Sequence, residues 1–421
     1  MCIMRDSRIV LTALWLAMMA SLKPVCLPAT AATNATTASE SWATAAKAFQ
    51  EAGNQIGQGK YKEARAALNA SASKLPAPYS AKATEFGNQL QQALDQSANP
   101  KDPARIGALV ELCTELRAYE AATRLRTQLP KSEVPGDDSE LAWRLFELGE
   151  NQAALVEYRR KLDEELVDMW KDYYRKQIRF LELPLAQQTN LSVACEMAQQ
   201  RYLVGYEVPV DYFGALQKVT RALPGATNAQ EAVIGEQLII KLLTGLGDEI
   251  GREAWENRLL AAHRDQTEAC ATVYLDRGLR AYEAEKYPDA LTCFRKVVVD
   301  YPDTTAYGDA QFSVGLCFQQ QKDYEAAIKE FNALIASKVN DYVVDPDKSD
   351  DYKSYRFRAA IHISQCYESQ KDYARALEYA ELARDKYKFL SYCKQCLEQA
   401  KINLESRIAK LQTTLKDTKQ P

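Results

Sequence analysis

Cys393 and Cys396 stand three positions apart, the spacing at which two thiols can trade electrons. A reactive Cys-x-x-Cys pair sits at a helix N-terminus, normally within a βαβ setting. Here "KFLS" precedes the pair, a helical run follows, and no strand pattern surrounds it, so it reads as a structural disulfide or as two free thiols. A zinc site would need two further ligands, and no second Cys or His pair lies nearby. "DPDKSDD" (345–351) gathers carboxylates of the kind that hold calcium. It lacks the central glycine and closing glutamate of a hand-type loop and reads as a solvated loop. "LLTGLGDEIG" (242–251) imitates a glycine-rich phosphate loop, which needs a strand before it and helix amides aimed at the phosphate. The preceding "EQLIIKLL" has helical period, so the stretch reads as a turn between helices. The two histidines, His263 and His362, read as surface or packing residues. With no nucleophile elbow, His pair or P-loop, we assign no catalytic residue, metal or cofactor, and expect the chain not to be an enzyme.

What positions such residues is helix. The 421 residues contain 47% apolar and 26% charged side chains with only 17 Gly and 15 Pro, which excludes general disorder and suits an elongated helical array. A formal net charge of −4 supplies no bulk field for nucleic acid. The first 31 residues differ from the rest. A short basic start, an apolar run at 9–22 and "ATA" at 29–31 read as a secretory signal cut after Ala31 or Ala32, leaving no membrane span. That predicts a chain exported across an inner membrane, periplasmic or attached to the cell envelope. Most cysteines beyond the leader lie in apolar helical runs and read as small buried hydrophobes.

The organisation shows in a repetition. "QQQKDYEAAIKEF" (319–331) returns as "ESQKDYARALEYA" (368–380), and "EAEKYPDALTCF" (283–294) is a third copy. Tyr287, Tyr324 and Tyr373 fall in register. So do Gly278, Gly315 and Ser364, then Ala290, Ala327 and Ala376, then Phe294, Phe331 and Ala380. Each copy predicts two helices and a tight joint, a unit that must stack on its neighbours to bury its apolar face.

These residues resemble the tetratricopeptide repeat: a small residue then an aromatic in helix A, a small residue then an aromatic in helix B, and a closing proline. Gly315, Phe318, Ala327 and Phe331 fit throughout, while the third copy has Ala380 for its second aromatic. The "YPDTTAYGDAQF" spacer (301–312) is similar to that of bacterial envelope proteins of the Tol–Pal-associated type. The resemblance implies an all-α superhelical solenoid of helix hairpins with a C-terminal capping helix. We expect a leader at 1–31, degenerate repeats at 41–165, an irregular helical region at 166–270, three repeats at 271–390, and the capping helix and tail at 391–421. Weaker echoes stand at Gly59/Tyr61, Tyr119/Ala122 and Gly149/Ala154.

The resemblance further implies an inner groove lined by helix A, a surface for proteins or peptides. Leu275, Tyr282, Glu283, Phe312, Gln319, Gln320, Arg358 and Gln365 are its candidate contacts, with Leu275 and Phe312 serving either groove or inter-repeat core. The carboxylate clamp of cytosolic chaperone-binding repeats is not evident, since none of the three A helices contains Asn. The expected function is an exported scaffold for envelope assembly or coordination. An exposed Tyr and Trp platform within 166–215 would instead favour binding of peptidoglycan or another envelope polysaccharide.

Overall fold

The computed structural model describes residues 41–129, 141–188, 190–203, 211–337, 339, 342–343, 352–387, 389–390 and 394–418. The leader-like residues 1–31, the carboxylate loop 345–351 and Cys393 lie outside them. The chain runs α1 (Ser41–Gly57), α2 (Tyr61–Lys74), α3 (Tyr79–Asp95), α4 (Pro103–Glu115), α5 (Tyr119–Arg126), α6 (Leu141–Glu147), α7 (Asn151–Glu164), α8 (Asp168–Glu182), α9 (Leu185–Gln188) and α10 (Leu191–Leu203). It continues with α11 (Tyr212–Ala222), α12 (Ala229–Leu246), α13 (Glu249–Ala262), α14 (Thr267–Glu283), α15 (Tyr287–Asp300), α16 (Tyr307–Gln320) and α17 (Tyr324–Ala336). Last come α18 (Tyr355–Ser369), α19 (Tyr373–Lys386) and α20 (Lys394–Asp417). Between α17 and α18, Tyr342–Val343 pairs antiparallel with Tyr352–Lys353, a short β contact that the helical reading of the sequence did not include.

One joint recurs. Gly59, Arg117, Gly149, Gly247, Glu285, Lys322 and Lys371 all have φ between 58° and 79°. Each ends a first helix, and each hairpin is closed by two backbone bonds, as in Lys322 N–H to Gln319 O (3.0 Å) and Asp323 N–H to Phe318 O (2.9 Å). This is the Schellman arrangement, which satisfies carbonyls that the helix end leaves open. The residue after the left-handed position starts the next helix. Where it is Asp (Asp248, Asp323, Asp372), its carboxylate accepts from an amide three residues on. The repeated Lys-Asp-Tyr is therefore a joint written in order: a left-handed residue, an N-cap, and the ring that opens helix B. The weaker echoes at Gly59, Tyr119 and Gly149 carry the same joint, and so does Gly247 within "LLTGLGDEIG".

Hairpins stack because helix B cannot shield its own ring. Ala290, Phe294 and Val297 of α15 share a core with Ala310, Val314 and Cys317 of α16. Ala327, Phe331 and Leu334 of α17 do the same with Tyr355, Ala359, Ile363 and Cys366 of α18. At the end, Ala376, Ala380 and Ala383 of α19 meet Leu404, Ile408 and Leu411 of α20, which takes the place of a further helix A. Inside a hairpin the glycine makes room for the ring: a Cβ on Gly278 would lie 2.4 Å from Phe294, and one on Gly315 2.5 Å from Phe331. In the third unit Ser364 faces the smaller Ala380. Its hydroxyl donates to Ala376 O (2.6 Å) and accepts from Arg407 of α20 (3.1 Å), whose guanidinium also pairs with Glu368 (2.8 Å).

The upstream helices coil back on themselves. α1 packs on α4, α5 and α11 as well as on α2, and a Cβ on Gly53 or Gly57 would lie within 2.5 Å of Ala118 or Ala121. Phe49 meets Phe86 (5.1 Å between centroids) and Phe213 (6.0 Å). One continuous core extends from Trp42 through α12 and α13 to Val273. A separate cluster joins Tyr119, Trp143, Tyr158, Trp170, Tyr173 and Tyr174 across α5 to α8. The 166–270 stretch is thus divided, with α8 going to the aromatic cluster and α10 to α13 to the α1 core.

Two stability measurements check this account. Lys322→Gly removes the Cβ from a left-handed residue and should raise unfolding free energy by about 0.5–1 kcal/mol, while Asp323→Ala should lower it by about 1 kcal/mol. A loss on Lys322→Gly in urea titrations would contradict the strain argument. Gly315→Ala should cost about 1–3 kcal/mol through overpacking against Phe331. Pairing it with Phe331→Leu should recover part of the loss, which a purely backbone effect of the alanine would not allow.

Candidate functional site

α14, α16 and α18 are the A helices of the three C-terminal hairpins, and each touches the next. Their shared seam, with Phe331 of α17 beneath it, brings together six polar and aromatic side chains. His362 Nδ1 donates to Gln319 Oε1 (2.8 Å), and Gln319 Nε2 donates to Gln365 Oε1 (3.4 Å). The imidazole stacks on Phe331 (5.4 Å) and meets the edge of Phe312 (5.2 Å). The guanidinium of Arg358 lies over the Phe312 ring at 4.2 Å. Burial, with Arg358 and Arg407 adding like charge, lowers the His362 pKa to about 4, so the ring is neutral near pH 7.

The predicted contacts divide accordingly. Gln319, Arg358 and Gln365 are half-buried and meet at the seam, while Gln320 and Glu283 are exposed beside it. Tyr282 is half-buried, edge-on to Tyr287 at 5.5 Å. Leu275 is half-buried against the α14–α16 core. Phe312 takes the second of its two readings: at 2% exposure it is inter-repeat core, held under His362 and Arg358. The reason is that Phe312 and Gly315, three residues apart on one face of α16, both meet Phe331 of α17. His362, read as a packing or surface residue, is the centre of the seam, and only its spatial neighbours could have marked it.

Residues 309–337 match the tetratricopeptide repeat family. That segment is α16 and α17, the hairpin whose Gly315, Phe318, Ala327 and Phe331 follow the pattern throughout. No curated protein matches the chain. Among solved structures, the crystal structure of the P58(IPK) TPR domain is similar at 12% identity, covering 90% of this chain and 100% of that one with a TM-score of 0.26. The tetratricopeptide-like architecture described here rests on the hairpin packing itself.

Outside the repeats, the other candidates resolve into structure. "LLTGLGDEIG" is the α12–α13 joint, with Asp248 buried and accepting from Tyr79 (2.7 Å) and Ser41 (3.3 Å) as well as from Gly251. His263 lies 3.5 Å from the buried Glu236, which Arg258 also pairs at 3.0 Å. Trp170, Tyr173 and Tyr174, three rings of the 166–215 stretch, are buried in the α5–α8 cluster. Cys113, Cys195, Cys270, Cys293, Cys317 and Cys366 are free thiols. Burial pushes Cys113, Cys317 and Cys366 up to about 12, which keeps them inert. Cys396 is disulfide-bonded. Among the described residues no helix is long and apolar enough to cross a membrane. Sequence reading missed a cavity of about 260 Å³ among α3, α4, α5, α6, α11 and α12. No short motif marks it, because six helices each contribute one to three residues.

The depressed His362 pKa has a direction. The unfolded chain takes up a proton below about pH 6.5 while the folded chain resists until about pH 4, so stability is full above 6.5 and falls through that window. The loss should reach at most about 3 kcal/mol. His362→Phe should flatten the pH dependence of urea unfolding between 6.5 and 4; an unchanged slope would assign the acid sensitivity to other groups.

Proposed function

We propose that this chain is a non-catalytic scaffold that holds protein partners along the A-helix face of α14, α16 and α18, exported to the cell envelope and engaged in its assembly or coordination. The observation that carries the reading is the seam itself. The A helices of successive hairpins lie side by side, and Gln319 and Gln365 bridge α16 to α18 at their meeting line. Such a wall offers amide and guanidinium groups to a peptide backbone or carboxylate, with exposed Gln320 and Glu283 at its edge. Tyr282 supplies a half-buried ring with contact area at low entropy cost. Both histidines are engaged structurally, His263 by Glu236 and His362 by Gln319 and two rings, which favours a holding role over proton transfer.

Placement in an envelope of the Tol–Pal-associated kind is supported by the apolar run at 9–22, the small residues at 29–31 and the "YPDTTAYGDAQF" spacer. The buried thiols suit an oxidising compartment, because burial withholds them from exchange.

Site-specific photocrosslinking tests the face. A photoreactive residue at Glu283 or Gln320 should trap the same partner in cells, whereas one at Lys296 or Lys329, exposed on the B helices α15 and α17, should not. Crosslinks confined to the B-helix positions would place partner capture elsewhere, and Tyr282→Ala should weaken capture without loss of helical signal.

A further inference from the structure

The cavity in the α1-centred half has a chemistry of its own. Its apolar walls are rings: Phe86 of α3, Tyr119 of α5, Trp143 of α6 and Phe213 of α11. Behind it lies a charge network. Arg117 Nε lies 3.1 Å from Asp211 Oδ1, Arg117 Nη2 lies 3.6 Å from Glu147, and Lys218 pairs with Glu147 at 3.4 Å. Among the described residues, two cations thus meet two carboxylates there.

This back wall is tightly built. Arg117 occupies the left-handed joint position (φ 59°), as do Glu285, Lys322 and Lys371. Those three side chains are exposed, whereas that of Arg117 turns inward, with only 15% of its side chain exposed. Facing it, a Cβ on Gly214 would collide with Asp211 at 2.2 Å and with Arg117 Nη2 at 2.9 Å. Strain in a backbone of this kind persists where the surroundings over-determine it.

The mouth carries Lys82 against Glu85 and Glu115, an excess of one negative charge. Glu111 adds to it: burial raises the Glu115 pKa, a hydrogen bond from Gln89 opposes the rise, and the charges of Glu85 and Glu111 push it further. The amide oxygen of Gln89 is itself buried without a donor. We propose that the aromatic cavity at Glu85 and Glu115 is a socket for one cationic side chain, arginine or lysine, presented by a protein partner. Aromatic rings attract such a cation, and the two carboxylates complement its charge. A volume of about 260 Å³ falls below the roughly 300–1,000 Å³ of drug-sized ligand sites, which matches a single side chain. The socket goes beyond the A-helix face of the C-terminal repeats, and either could hold a partner without the other.

Calorimetry on the full chain, with Trp fluorescence as a second readout, tests this. The probes are Nα-acetyl-arginine amide, its neutral citrulline isostere, the glutamate analogue, and spermidine as a free polyamine. The arginine probe should bind at least about tenfold more tightly than citrulline, and glutamate should not bind. The double variant Glu85→Gln, Glu115→Gln should lose the preference, and Lys82→Gln should tighten arginine binding about threefold. Spermidine outcompeting the arginine probe would assign the socket to free amines and overturn the partner reading. Equal binding of citrulline, preference for glutamate, unchanged affinity in both variants, or no saturable heat up to about 20 mM would overturn the cation socket itself.

Discussion

A helix that carries a phenylalanine on one face cannot cover that ring alone, and the rest of this molecule is arranged around the need. Phe294 and Phe331 each project into the notch left by a glycine in the preceding helix, and the next hairpin closes over the remainder. The notch sets the approach of two helices, the approach sets the tilt, and the tilt repeated gives the solenoid. The left-handed joint serves the same end by reversing the chain within a few residues, so that the notch and the ring arrive opposite one another.

Where an exchange is local, the sequence displays it plainly. Lys-Asp-Tyr announces the joint because each residue acts on its immediate neighbours. The same is true of Gly59 and Gly149, whose hairpins were legible despite weak resemblance. The third hairpin was less so. Ala380 looks like a missing aromatic, and its compensation comes from Arg407, 43 residues beyond Ser364. Periodicity reports which face of a helix is apolar and says nothing of what covers it. That is why Phe312 could be read toward the groove, and why α10 to α13 gave no sign of folding back on α1.

The polar groups follow a matching division. In the repeats, hydrogen bonds such as Gln319 to Gln365 lie along the seam between A helices and remain half-buried. In the first half, carboxylates go deep: Asp248, Asp211, Glu236 and Glu256 are buried, each held by hydroxyls, amides or arginines. A buried carboxylate needs several partners in fixed places, so Asp248 and Asp211 pin segments that stand far apart in sequence, while Glu236 and Glu256 join successive helices. Chemical specificity in the molecule is therefore concentrated where the chain closes on itself rather than where it merely repeats.

The bond between Ser41 and Asp248 spans 207 positions, and it gives the two halves different histories. During synthesis α1 emerges early, packs on α2, α4 and α5 as they follow, and gains the last of its cover only when α11 leaves the ribosome. The later hairpins meet their neighbours within a few dozen residues and can settle as they appear. Truncation from the C-terminal end would thus peel away rungs in succession, whereas the first half is acquired or lost as one piece.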